Sequence, residues 1–420
     1  MYKVAWRILP FAMLLYFVSF IDRVNIGFAA LTMNRDIGLS STAFGLGAGI
    51  FFCGYFLFEV PSNLILHRIG ARVWIARVMI TWGIASGATA FVHGPSAFYA
   101  LRFLLGVAEA GFFPGMILYL SYWFPADHRA AATSVFMAAA PLSTALGSPL
   151  SGALMQMNGW LGLAGWQILF LLEAVPAVIL GCAVPFVLTS RPGQARWLTD
   201  EERNWLCATL SREQEQGERR HTLWEGLADR RVLVLALIYF GTSAGLYSQS
   251  IWSPQIIGHF GLSPFMVGMV NAGPGIAAVI AMMLWSYHSD RTGERSWHVA
   301  IACFLAAAGL IYCGAAASLM SVLLALTLVN IGVSASKPPL WAMPARFLDG
   351  PAAAAGIAAI NALGNLGGFA GPFMIGLLKS WTGSFRGGLY CVAGLLLMSA
   401  VLTLALTRYG HPLAAARRQV

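Results

Sequence analysis

Apolar positions in this chain come in long unbroken blocks. They show neither the three-or-four spacing of a surface helix nor the alternation of a half-buried strand. Twelve blocks reach the roughly 20 residues that a helix needs to cross a bilayer. They fall at about 8–31, 41–66, 73–92, 98–121, 132–155, 166–188, 232–257, 265–287, 298–317, 319–345, 351–378 and 387–407. The pattern predicts an all-α polytopic membrane protein with twelve transmembrane helices. By far the longest polar interruption, 189–231, separates six blocks from six. It predicts two six-helix halves, 1–190 and 231–420, joined by a cytoplasmic loop at 191–230. Inside that loop TDEE (199–202) reads as a helix start, with Thr199 as N-cap and Glu202 reaching back to it. HRIGAR (67–72) after the second block and DRTGER (290–295) after the eighth repeat one pattern at matching places in the two halves.

Composition agrees with the pattern. The 420 residues are 58% hydrophobic and 10% charged, with a mean hydropathy of +0.70. A soluble domain carries about a quarter charged residues. The net charge of +9 invites a nucleic-acid reading until its placement is considered. With the N-terminus inside, 20 of the 26 basic residues fall on the cytoplasmic side and three (Arg35, Lys379, Arg386) on the other. That asymmetry is the positive-inside rule, so the charge reads as orientation, with both termini cytoplasmic. Nucleic acid is not an expected partner. The six cysteines are scattered without metal-ligand spacing, so neither a disulfide framework nor a metal site is expected. The first block lacks a cleavage site and reads as a retained helix. A membrane-embedded enzyme would need a converging nucleophile or metal set, yet no H-E-x-x-H or H-x-x-x-x-D occurs. No enzymatic activity and no cofactor are expected.

Several stretches together resemble one family. They are DRVNIGFA (22–29), FEVPSNLILHRIGAR (58–72), RFLLGVAEAGFFPGMILYLSYWFP (102–125), RPGQARWLTDEER (191–203) and AAGIAAINALGNLGGFAGP (354–372). The resemblance is to the anion:cation symporter family of the major facilitator superfamily, whose bacterial members carry tartrate, sugar acids and phthalate. Asp290, Arg291, Gly293 and Arg295 match the superfamily's loop motif. The first-half copy keeps Arg68 and Arg72, with Asn63 in place of the motif's glycine and His67 in place of its acid. The resemblance implies the major facilitator fold and proton-coupled symport of a small organic carboxylate, tartrate-, sugar-acid- or aromatic-acid-like, by alternating access. It also implies a bacterial inner membrane and a functional monomer. GSPLSG (147–152) weakly resembles an antiporter motif, so an organic-anion exchanger or exporter of the same fold is the alternative.

A charge at the bilayer centre costs at least ~2.5–3.5 kcal/mol, so ionisable residues within spans mark substrate or proton pathways. In span one Tyr16, Ser19 and Arg23 share a face, and Asp22 stands beside Arg23. The expectation is an Asp22–Arg23 pair in which a proton on Asp22 frees Arg23 for a carboxylate. Arg102 and Glu109 lie two turns apart in span four, with Pro114 bending the helix. By resemblance both belong to proton coupling; Arg102 bonded to neighbouring carbonyls is the structural alternative. Tyr55 is placed in the cavity, with Glu59 and Asn63 at a gate near Arg68 and Arg72. Asp290, Arg291 and Arg295 gate the second half. Tyr247, Gln249, Lys337, Trp341 and Asn361 are expected to meet substrate, although Lys337 equally suits snorkelling to the cytoplasm. Glu173 in FLLEAVPA reads as a structural carboxylate.

Overall fold

A computed structural model describes residues 1–217, 229–344, 347 and 350–416. Arg219, Arg220, Arg346, Arg417 and Arg418, counted above with the cytoplasmic charges, lie outside the described residues. Among the described residues the fold is helical, without strands. Spans 1, 2, 3 and 6 are Tyr2–Ala29, Ser41–Ile69, Ala71–Ala88 and Gly165–Val187. Span 4 is two helices, Pro95–Glu109 and Phe112–Ser121, and span 5 joins Ala126–Met137 to Ala139–Met155. Spans 7 to 10 are Arg230–Gly258, Pro264–Thr292, Ser296–Ala315 and Leu319–Trp341, and span 12 is Arg386–Ala416.

Eleven helices among the described residues are long and apolar enough to cross a membrane. The expected eleventh block, 351–378, is instead Gly350–Asn365 and Gly367–Thr382, which meet at Leu366. Each half thus supplies six spans. Large apolar side chains such as Leu57, Ile179, Phe186, Met283, Leu284 and Val401 point outward and are exposed. On a water-facing monomer so much apolar surface would drive association.

The halves are sealed against each other at the end remote from the termini, and small residues make the seal. Gly45 of span 2 lies against the Pro372 carbonyl of span 11, where a Cβ would come within 2.7 Å. Gly268 of span 8 meets the Ser148 carbonyl of span 5, where a Cβ would come within 2.3 Å. Close backbone approach through small residues is how helices associate without a hydrophobic drive between them. The loop helix Asp200–Gly217 begins as its sequence predicts. Glu202 N–H donates to Thr199 Oγ1 at 3.2 Å and the Thr199 N–H donates back to Glu202 at 2.9 Å. Glu202 also holds Lys3 at 2.8 Å, which ties the loop to the start of span 1.

Candidate functional site

Span 4 breaks where the site needs it to. Gly111 adopts φ +84, a left-handed conformation that favours glycine, and its missing Cβ leaves room for Ser62 Oγ. Ser62 in turn donates to the Ala110 carbonyl freed by the break, at 2.6 Å. Pro114, expected to bend the span, sits within the first turn after the break. Glu109 is the last residue before it, and the interruption presents its carboxylate to span 1.

There the expected partners exchange places. Arg23 does not pair with Asp22. Its Nε donates to Glu109 Oε1 at 2.6 Å, and Ser19, one turn earlier on the same face, donates to the same oxygen at 2.7 Å. Arg23 Nη1 reaches across to the Tyr247 hydroxyl of span 7 at 2.9 Å, which joins the two halves. Its guanidinium lies 5.1 Å from the Tyr55 ring and 5.7 Å from that of Phe51. Neighbouring helical residues point about a quarter turn apart, and here that angle sends Asp22 into the N-terminal half instead. Trp82 Nε1 donates to it at 2.7 Å, Ser86 at 2.9 Å and Asn25 at 3.4 Å. Arg102 does not hold Glu109 either. It donates to the Gly47 and Ala48 carbonyls at 3.4 and 3.5 Å and lies over Phe51.

The remaining site residues divide into two groups. Glu59 and Asn361, expected at a gate and in the cavity respectively, hydrogen-bond to each other across the halves. Tyr55, Gln249 and Ser250 are buried, and among the described residues both Gln249 amide atoms and the Ser250 hydroxyl have no hydrogen-bond partner. Lys337 faces a crevice lined by Tyr16, Phe20, Thr144, Asn330 and Ser334 and lies 6.0 Å from the Phe20 ring. It is 9% exposed and has no acidic partner among the described residues, which places it inside the bundle rather than at the cytoplasmic surface. Trp341 packs edge-on against Tyr239 at 5.0 Å, and its indole N–H has no hydrogen-bond partner among the described residues.

The loop motif lies away from this cluster. Arg295 pairs with Asp290 at 2.6 Å, while Arg68, Arg72 and Arg291 are exposed and make no ion pair among the described residues. Asn63 turns back to its own helix, donating to the Glu59 carbonyl at 2.9 Å. Sequence reasoning missed Trp82, Ser86 and Asn25 as partners of Asp22. The i, i+3 spacing of Asp22 and Asn25 was the available signal. GTSAG (241–245) fits the G-x-S-x-G string of hydrolases, but it runs in continuous helix with Ser243 buried, not in a strand-to-helix elbow.

Among the described residues several buried polar atoms therefore lack a hydrogen-bond partner, which in native proteins calls for a ligand, water or proton. Arg23 Nη2 is among them.

The major facilitator superfamily model matches residues 12–372 and 235–419. A protein of Agrobacterium vitis named "Putative tartrate transporter" is 69% identical over 97% of this chain and 91% of its own length. A quinolone resistance transporter of Acinetobacter baumannii is 41% identical over 95% of this chain and 93% of its own. Among solved structures, a D-xylose–proton symporter superposes with a TM-score of 0.74 at 17% identity, covering 95% of this chain and 97% of that one. At that identity the likeness establishes the fold.

Proposed function

Because this chain belongs to the major facilitator superfamily and is a multi-pass membrane transporter, we propose that it is a proton-coupled symporter importing a small organic carboxylate across a bacterial inner membrane. The observation that carries this is Arg23: buried, held by Glu109 on one edge and by Tyr247 of the other half, with Nη2 making no hydrogen bond among the described residues. An arginine fork is suited to grip a carboxylate at two points. Protonating Glu109 would release the second edge of the fork, so proton and substrate binding support each other. Asp22, within the N-terminal half, is the second proton carrier. Tyr55, Tyr247, Gln249, Trp341 and Asn361 supply neutral contacts, and Arg102 props the Glu109 helix against span 2.

Lys337 adds a second cation on the opposite half. With Glu109 neutral, Arg23 and Lys337 together match the charge of a dicarboxylate, which agrees with the tartrate named for the Agrobacterium relative. The crevice beside Lys337 encloses only about 10 Å³ of free space. A small-molecule pocket holds ~300 Å³ or more, so binding requires the halves to part, as alternating access does. The Glu59–Asn361 bond, which spans the halves, would break and reform in that cycle.

Reconstituted protein should accumulate labelled tartrate when the outside is acidic and lose that accumulation when an ionophore collapses the gradient. Uptake indifferent to the gradient would overturn proton coupling. The Acinetobacter relative's name favours a second reading, an exporter of the same fold. That reading predicts uptake driven by the reverse gradient in the same vesicles. In this reading both termini and the 191–230 loop lie in the cytoplasm. In a cysteine-free background, an impermeant thiol reagent on intact cells should label Arg35→Cys and spare Glu201→Cys; the opposite pattern would invert the orientation.

A further inference from the structure

The turn between spans 8 and 9 holds a chain of ionisable side chains that shares no residue with the Arg23 site. His288, one turn from the end of span 8, is exposed. Its Nδ1 stands 2.7 Å from Nε2 of His298, which lies in the first turn of span 9 and is 6% exposed. The other ring nitrogen of His298, Nδ1, stands 3.0 Å from Oε2 of Glu294. Glu294 also caps span 9, accepting from the Trp297 N–H at 2.9 Å and the His298 N–H at 3.3 Å. Trp285 holds the buried ring in place. Its indole N–H donates to the His298 carbonyl at 3.0 Å, and the two rings meet edge-on at 5.0 Å.

Hydrogen-bond chemistry fixes where the protons sit. Burial pushes the pKa of Glu294 up, but bonds from Trp297 and His298 outweigh burial and keep it below the usual carboxylate range. An ionised carboxylate only accepts, so His298 Nδ1 carries a hydrogen. With His298 neutral, its Nε2 is an acceptor and His288 Nδ1 must donate to it. One added proton reverses that bond. It binds at His288 Nε2, the hydrogen on His288 Nδ1 passes to His298 Nε2, and the buried ring becomes a cation beside Glu294. The two rings stay bonded, with His298 now the donor. A second added proton has no such solution, because two N–H groups would then face each other across 2.7 Å.

We propose that His288, His298 and Glu294 form a one-proton relay on the face that the reading above places in the cytoplasm. The first proton tightens the tie between spans 8 and 9, since the His298–Glu294 contact becomes charge-assisted. The second breaks that tie at the two imidazoles. The turn so controlled carries the Asp290–Arg295 pair; Arg295 donates to Ser289 at 2.9 Å, and Ser289 donates to the Glu294 carbonyl at 2.6 Å. Acid on that face therefore loosens the turn. Glu294 faces the relay directly, the Asp290–Arg295 pair reaches it through Ser289, and Tyr287 and Arg291 of span 8 are exposed. The spans packed against 8 and 9 direct their charges elsewhere. Arg129 of span 5 pairs with Glu213, Arg231 of span 7 with Asp229, Lys337 lines its crevice, and Arg386 of span 12 bonds to the Gly314 carbonyl. Among the described residues no other ionisable side chain is bonded to either imidazole. The relay does not rest on the symport reading.

Nitrogen NMR of the full chain, isotope-labelled in histidine, tests the site from about pH 8 to about pH 5. The two signals are assigned by their loss in His288→Gln and His298→Gln protein. At the alkaline end His298 should carry its hydrogen on Nδ1 and show a coupling to His288 through the shared hydrogen bond. The pair should then take up two protons in steps at least about one pH unit apart. The coupling should survive the first step, in which His298 becomes the cation, and vanish in the second. Both rings titrating in one step, a His298 hydrogen on Nε2 at the alkaline end, or no coupling at any pH would overturn the proposal. Glu294→Gln keeps a carbonyl for the span 9 cap but removes the charge, so its first step should fall by about one pH unit. An unchanged first step would remove Glu294 from the relay. Backbone hydrogen exchange at Gly293–Trp297, corrected for its intrinsic pH dependence, should rise as the coupling vanishes. Unchanged protection there would overturn the control of the turn.

Discussion

The interior of the N-terminal six spans holds Asp22, Arg23, Glu59, Arg102, Glu109 and Glu173. In the C-terminal six, among the described residues, Lys337 is the only buried Asp, Glu, Lys or Arg; Tyr247, Gln249, Asn330 and Asn361 are buried neutral polar residues of the same half. The two halves share one architecture and divide the chemistry between them. The N-terminal half gathers the buried acids and arginines, and there Glu109 pairs with Arg23. The C-terminal half offers neutral hydrogen-bonding groups and one buried lysine, Lys337. Neutral groups keep the same donors and acceptors as pH changes, so they suit substrate reading. Carboxylates change with protonation, so they suit coupling.

The sharpest way to break this comparison is to remove the cation that joins the two halves. Arg23→Ala leaves Glu109 buried without its partner, and truncating such a pair costs roughly 2–5 kcal/mol. Carboxylate binding measured by calorimetry should fall below detection. Arg23→Lys should be intermediate, because it keeps the charge but loses the planar fork. Binding unchanged in the alanine variant would move the substrate anchor out of the N-terminal half.

Glu109→Gln separates coupling from binding. A gradient of one pH unit concentrates a substrate carried with one proton about tenfold. The variant should lose that accumulation while exchange of labelled for unlabelled substrate persists. If driven accumulation survives, the coupling proton does not bind at Glu109, and Asp22 is the remaining carrier.

The smallest of the three effects tests the C-terminal half. Hydrogen bonds to charged groups contribute about 1.5–3 kcal/mol, so Lys337→Gln should weaken dicarboxylate binding by about tenfold or more. A monocarboxylate of similar size, bound through Arg23, should lose much less. Equal losses for both ligands in a thermal-shift titration would mean that Lys337 supports the crevice without touching a carboxylate.

Fold class, span number and the division into halves were legible because a bilayer imposes a one-dimensional rule. Every spanning segment must be apolar for about 20 residues, whatever its neighbours are. The Thr199–Glu202 cap and the Asp290–Arg295 turn were legible for a related reason, since their partners lie within a few residues of each other. The identity of the buried charges was equally plain, because each stands out against an oily background. Their pairing was not. Asp22 and Arg23 are adjacent in the chain, and their adjacency suggested a pair, but neighbouring residues on a helix point in different directions. Arg23 meets a glutamate 86 positions away and Asp22 a tryptophan 60 positions away. Arg102 and Glu109 share a helical face and still do not bond, because the helix ends at Glu109 and turns that carboxylate toward span 1. The sequence by itself determined which residues enter the membrane interior. Only the packing of twelve helices decided which of them compensate one another, because a buried charge is stabilised by whatever lies within a few ångströms of it in space.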